Sequence, residues 1–87
     1  MSLDDRARDR LRWDCRRGML ELDLVLNAFL VRHLDGLEPR QLEAFRGLLA
    51  YPDPLLLEFV MGHSEPDETF EREVLTLMRA VDATIAA

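Results

Sequence analysis

At 87 residues and 48% hydrophobic composition, the chain has surface enough for one core, so a single domain over residues 1–87 is expected. A net charge of -6 argues against nucleic acid as a partner, because phosphate binding calls for a basic domain. The longest apolar runs, Leu24-Val25-Leu26 and Leu55-Leu56-Leu57, fall far short of the roughly 20 residues that cross a bilayer, so no direct membrane insertion is expected. The charged opening Met1-Ser2-Leu3-Asp4-Asp5 has no apolar secretory region, and the single cysteine, Cys15, can close no internal disulfide, which together point to the cytoplasm.

The first segment, about residues 3–15, places Leu3, Ala7, Leu11 and Cys15 at intervals of four, a stripe one residue wide that predicts a surface helix. It is also the basic end of an acidic chain: residues 1–17 carry six Arg against four Asp, the remainder five Arg against thirteen acids. Trp13 lies off the stripe and must pack elsewhere or stay partly exposed. Gly18 interrupts the pattern, and a second helix is predicted over residues 19–34. Leu22, Val25, Leu26, Phe29, Leu30 and His33 form one of its faces and Leu20, Leu24, Val31 and Leu34 another, which predicts a central helix, the most buried element, covered on two sides.

Asp35-Gly36 closes that helix, with Gly36 in the place of a left-handed C-terminal residue. Pro39 suits the first turn of a third helix whose apolar positions are Leu42, Phe45, Leu48 and Leu49. In Tyr51-Pro52-Asp53-Pro54 the expected roles are Asp53 as N-cap and Pro54 as first helical residue of a fourth helix, with Leu56, Phe59 and Val60 facing inward and Gly62 ending it. Ser64, followed three residues on by Asp67, signals a cap before a last helix that carries Phe70, Val74, Leu77, Met78, Val81 and Ile85 on one face. The fold class is therefore all-α, a small single-domain five-helix bundle.

No self-sufficient active site is visible. His33 and His63 stand thirty residues apart, His33 on an apolar face, and both read as structural rather than ligating. Cys15 beside Arg16 and Arg17 has neighbours that favour a thiolate, but no His-plus-acid partner accompanies it, and it reads as a small half-buried residue. No phosphate loop, dinucleotide fingerprint or metal-ligand spacing occurs. The informative stretch runs from Arg16 to Asp23: two cations, a glycine and two acids at the junction of the first two helices. Its residue types are explained equally by a basic helix end, a turn glycine and an acidic helix start.

The order of those residues adds something. Arg17-Gly18-Met19-Leu20-Glu21 resembles the Arg-Gly-x-x-Glu motif of the FAD assembly factors of succinate dehydrogenase, the bacterial SdhE-type proteins and their mitochondrial counterparts. Trp13, Cys15, Leu22-Asp23, Phe29, Leu48-Leu49, Asp53-Pro54 and Met61-Gly62-His63 extend the resemblance over nearly the whole chain. Two departures stand out: Phe59 where that family often has tryptophan, and Leu55 where it often has an acid.

The resemblance implies a non-enzymatic, monomeric factor that binds the flavoprotein subunit of succinate dehydrogenase or fumarate reductase and promotes its covalent flavinylation, holding no cofactor stably itself. It further implies a contact made by Arg17, Gly18 and Glu21, with Arg16, Met19 and Asp23 in supporting places. An intrahelical Arg17 to Glu21 pair is in the weaker order, so both side chains are expected to be largely free for the partner. The alternative within the same resemblance is an antitoxin-type interaction protein of a toxin-antitoxin pair.

Overall fold

A computed structural model describes residues 4–86, with side chains placed for residues 4–83. Among these residues the chain forms α1 (Asp5–Asp14), α2 (Leu20–His33), a 3-10 turn (Leu34–Gly36), α3 (Pro39–Leu49), α4 (Asp53–Met61) and α5 (Thr69–Ala86), with no strand. The expected all-α, five-helix architecture is what is observed.

The terminus of each helix has a local cause. Asp4 caps α1, its carboxylate accepting the Ala7 N–H at 2.7 Å. Pro39 opens α3, where its missing N–H costs nothing, and the Gln41 side chain reaches back to the Glu38 N–H at 2.9 Å. Gly62 ends α4 in the left-handed region at φ 82, as expected.

Three expected boundaries are corrected. Gly36 is not left-handed; the positive-φ glycines among the described residues are Gly18 and Gly62, and α2 instead tightens into the 3-10 turn, with the Leu37 N–H bonded to the Leu34 carbonyl. Asp53 is not an N-cap but the first residue of α4, behind Pro52, which leaves its carboxylate for another partner. Ser64 does not cap α5; the helix begins at Thr69, and it is the Glu68 carboxylate that accepts the Glu71 N–H at 2.6 Å. Residues 62–68 lie against Arg79, which donates to the Phe59 and Ser64 carbonyls and pairs with Glu65 at 2.7 Å.

α5 packs against α2, α3 and α4 and is the centre of the bundle. Val74, Leu75, Met78 and Val81 are buried on it, with Phe70 and Leu77 half-buried; Ile85 and Leu3 lie outside the residues whose side chains are described. Phe29 of α2 stacks on Phe45 of α3 with ring centroids 5.0 Å apart, and His33 tilts against the same Phe29 ring at 5.2 Å. Phe59 is buried edge-on to Tyr51, so an aromatic fills the place where a tryptophan was expected.

The reading of α2 as buried on two sides is overturned. Leu22, Val25, Leu26, Phe29 and Leu30 are buried, but Leu20, Leu24 and Val31 are 76%, 48% and 88% exposed. Of the second face Leu34 alone is covered, because it belongs to the 3-10 turn rather than to the helix. Nor is α2 the most buried element: α3 buries five of its 11 residues against five of 14 in α2. The physical reason is size. Helices this short can enclose one face of α2 but not a second.

Candidate functional site

Between α1 and α2 the chain turns over five residues, and one side chain holds that turn in place. The Arg17 guanidinium donates from Nε to Asp53 Oδ1 at 2.8 Å, from Nη1 to the Asp14 carbonyl at 2.8 Å and from Nη2 to the Leu49 carbonyl at 2.9 Å. The Arg17 backbone N–H donates to Asp23 Oδ1 at 2.7 Å. Asp14 and Leu49 are the last residues of α1 and α3, so their carbonyls are among those a helix end leaves without intrahelical partners. A cation there also meets the negative ends of two helix dipoles, while Asp53 and Asp23 lie in the opening turns of α4 and α2 where anions are favoured. Arg17 thereby joins four helices.

This corrects the expectation that Arg17 is free for a partner. Its side chain is 18% exposed, and its three donating nitrogens are all used within the chain. The weak Arg17 to Glu21 pair does not form either, since Arg17 lies outside α2. Asp23 is half-buried and occupied by the Arg17 backbone.

Gly18 follows at φ 80, a conformation that strains any residue with a Cβ, although nothing lies within 4 Å of where that Cβ would stand. Backbone geometry is thus one reason for glycine here, and the open space above it leaves room for a second. Met19 is partly buried against the core and occupies the N-cap position of α2 without a side-chain bond, its carbonyl accepting the Asp23 N–H at 2.9 Å.

The remaining candidates point outward. Glu21 is exposed in the first turn of α2 and has no hydrogen bond or ion pair among the described residues. Arg16 is exposed with its guanidinium 5.7 Å from the centre of the Trp13 ring, and Trp13 itself is 68% exposed. The structure therefore sorts the predicted residues into two groups: Arg17 and Asp23 tie the junction, Met19 seats it on the core, and Arg16, Gly18 and Glu21 form its outer surface.

Sequence reading missed Asp53 as the partner of Arg17, and it missed the exposed apolar row Leu20, Leu24 and Val31 that continues from Glu21 along α2. The signal for the row was present, because a helix with two apolar faces in so small a chain leaves one of them over. Leu55 is 37% exposed on α4, an apolar group at the surface where an acid was expected.

The other chemically capable residues stay apart. Cys15 is fully buried, and burial pushes its thiol up to about 12; Arg17 opposes this, while Asp14 and Asp23 add to it. Burial outweighs the cationic neighbours that would favour a thiolate. His63 Nδ1 meets Glu58 Oε2 at 2.7 Å on the surface. Among the described residues no cluster of His, Cys, Asp or Glu could hold a metal ion, and no helix is long and apolar enough to cross a membrane.

Known proteins resemble the chain over most of its length. Residues 9–82 match the family described as "Flavinator of succinate dehydrogenase". The chain is 46% identical over 80 residues to the FAD assembly factor SdhE of Legionella pneumophila (strain Lens), covering 92% of this chain and all of that protein. It is 39% identical over 69 residues to the FAD assembly factor SdhE of Coxiella burnetii, covering 79% of this chain and 84% of that protein. With the protein of the same name from Yersinia pseudotuberculosis it shares 35% over 80 residues, 92% of this chain and 89% of the other. The toxin-antitoxin alternative finds no support in these matches.

Proposed function

The chain belongs to the family of flavinators of succinate dehydrogenase, and from that premise we propose that it binds the flavoprotein subunit of succinate dehydrogenase or fumarate reductase and promotes covalent attachment of FAD to it. The observation that carries the reading is the construction of the α1–α2 junction: a half-buried loop arginine bonded to all four surrounding helices, α1 to α4, holds Arg16, Gly18 and Glu21 outward on a preset backbone. A surface ordered before binding loses less conformational entropy when the partner arrives.

Flavin attachment needs the flavin and an acceptor side chain of the subunit held in reacting geometry, and positioning of this kind supplies several kcal/mol of a barrier. The factor acts by ordering its client and contributes no catalytic residue and no flavin of its own. In this arrangement Glu21 accepts hydrogen bonds from the client, Arg16 supplies a cation, and Gly18 lets the client's backbone approach. Arg17 and Asp23 act through the loop they hold, as positioning residues. The factor works as a cytoplasmic monomer that takes no nucleic acid, in keeping with its charge of -6.

A titration of the purified flavoprotein subunit against the parent and Glu21→Ala tests the contact. Glu21 has no partner among the described residues, so the variant melts as the parent does and binds more weakly. Equal affinity would remove Glu21 from the interface.

A further inference from the structure

Next to the junction, with Asp14 and Arg17 in its lining, an open groove of about 990 Å³ runs between α1 and the C-terminal end of α3. Its floor is apolar, formed by Ala7 and Leu11 of α1 with Leu49 and Ala50 at the end of α3. The acids that line it are already engaged: Asp4 accepts the Ala7 N–H at 2.7 Å, Asp9 pairs with Arg12 at 3.3 Å and Asp14 with Arg10 at 3.4 Å. Arg17 is likewise committed to Asp53. Two lining cations are not. Arg6 on α1 and Arg46 in the last turn of α3 are exposed and have no hydrogen bond, ion pair or ring contact among the described residues.

We infer that this groove is a second docking site for the flavoprotein client, taking a segment of the client that carries a carboxylate beside an apolar side chain. The inference rests on the reading of the chain as a flavoprotein-binding factor. The charges choose the occupant. Four arginines line the groove against three aspartates, so it carries an excess of one positive charge although the chain as a whole is negative, and that excess sits on the unpaired Arg6 and Arg46. A carboxylate entering the groove meets Arg6 and Arg46 and displaces no existing pair, and a neighbouring apolar side chain covers floor that water now wets. Because Asp14 and Arg17 belong both to the groove wall and to the junction, the two sites are continuous and one client can lie across both.

The test is a titration of the purified flavoprotein subunit with the parent, Arg6→Glu/Arg46→Glu, Arg6→Gln/Arg46→Gln and Glu21→Ala, each also melted alone. The melting temperatures of the groove variants stay within a few degrees of the parental value, since neither arginine has a partner among the described residues. The charge reversal weakens binding at least about tenfold, the glutamine pair less, and the reversal flattens the salt dependence. Reversed and neutral variants that bind within about twofold of the parent while Glu21→Ala binds poorly would overturn the groove and leave the junction standing. A parent that does not bind the subunit removes both. A short DNA duplex run in parallel separates the other anionic occupant: duplex binding lost on reversal, with subunit affinity intact, reassigns the groove and contradicts the inference.

Discussion

Removing the Arg17 guanidinium should destabilise the fold itself, contrary to what a surface charge in a loop would do. Arg17→Ala deletes three hydrogen bonds from a charged donor, to Asp53, to the Asp14 carbonyl and to the Leu49 carbonyl. Each such bond contributes about 1.5 to 3 kcal/mol where water is excluded. Here the arginine and aspartate side chains are 18% and 28% exposed, so water reaches the orphaned groups and recovers part of the loss. A cost of about 2 to 3 kcal/mol remains, which for a domain of this size lowers the melting temperature by roughly 10 to 20 °C. Arg17→Lys keeps the charge but not the planar fork that spans three acceptors, and should recover less than half of that. Thermal and urea unfolding followed by helical circular dichroism measure both variants. An Arg17→Ala protein that melts within about 2 °C of the parent would refute the tie between the four helices.

Gly18→Ala should cost about 1 kcal/mol in the free protein, because φ 80 strains a residue with a Cβ; unchanged urea midpoints would show that glycine is there for the partner alone. Phe29→Ala, which empties a fully buried site stacked on Phe45, should cost about 3 to 5 kcal/mol, enough to leave little cooperative unfolding at all. Cys15 should resist a chromogenic disulfide reagent until the chain unfolds, since it is fully buried with its thiol held protonated; fast labelling of the native protein would contradict this. The same thiol makes stability fall in alkali. Its folded value lies above the ordinary 9.0, so the unfolded chain loses the proton first, and stability declines as pH rises from 9.0 through about 12, with Tyr51, raised by its hydrogen bond to Glu71, adding in the same direction. Urea midpoints for parent and Cys15→Ala on either side of pH 9.0 should converge as the pH is raised.

What was legible in the sequence was local chemistry. Pro39 and Gly62 mark helix ends through constraints that act within one turn, and the spacing of Leu42, Phe45, Leu48 and Leu49 selects the buried face of α3 whatever lies opposite. The order Arg-Gly-x-x-Glu pointed to Gly18 and Glu21, which are exposed at the junction, but it begins with Arg17, which is not. What depends on distant partners was not. Asp53 is 36 positions from Arg17 and Leu49 is 32, so nothing local distinguished an arginine that ties helices from one that awaits a client. Likewise the wheel of α2 shows two apolar faces and cannot say which is covered, because that is decided by where α5 lies. Gly36 failed for a related reason: a glycine after a helix permits the left-handed residue without demanding it, and the 3-10 turn that buries Leu34 prevailed.

The claim that the junction serves flavin attachment is tested most directly by the ultraviolet fluorescence of the denatured flavoprotein subunit on a gel, which reports flavin that is covalently bound. The subunit is taken from cells lacking this chain and from the same cells supplied with the parent or with Glu21→Ala. The account predicts bright covalent flavin with the parent, and a band strongly dimmed both without the chain and with Glu21→Ala present at parental abundance. Equal fluorescence in the presence and absence of the chain would contradict it.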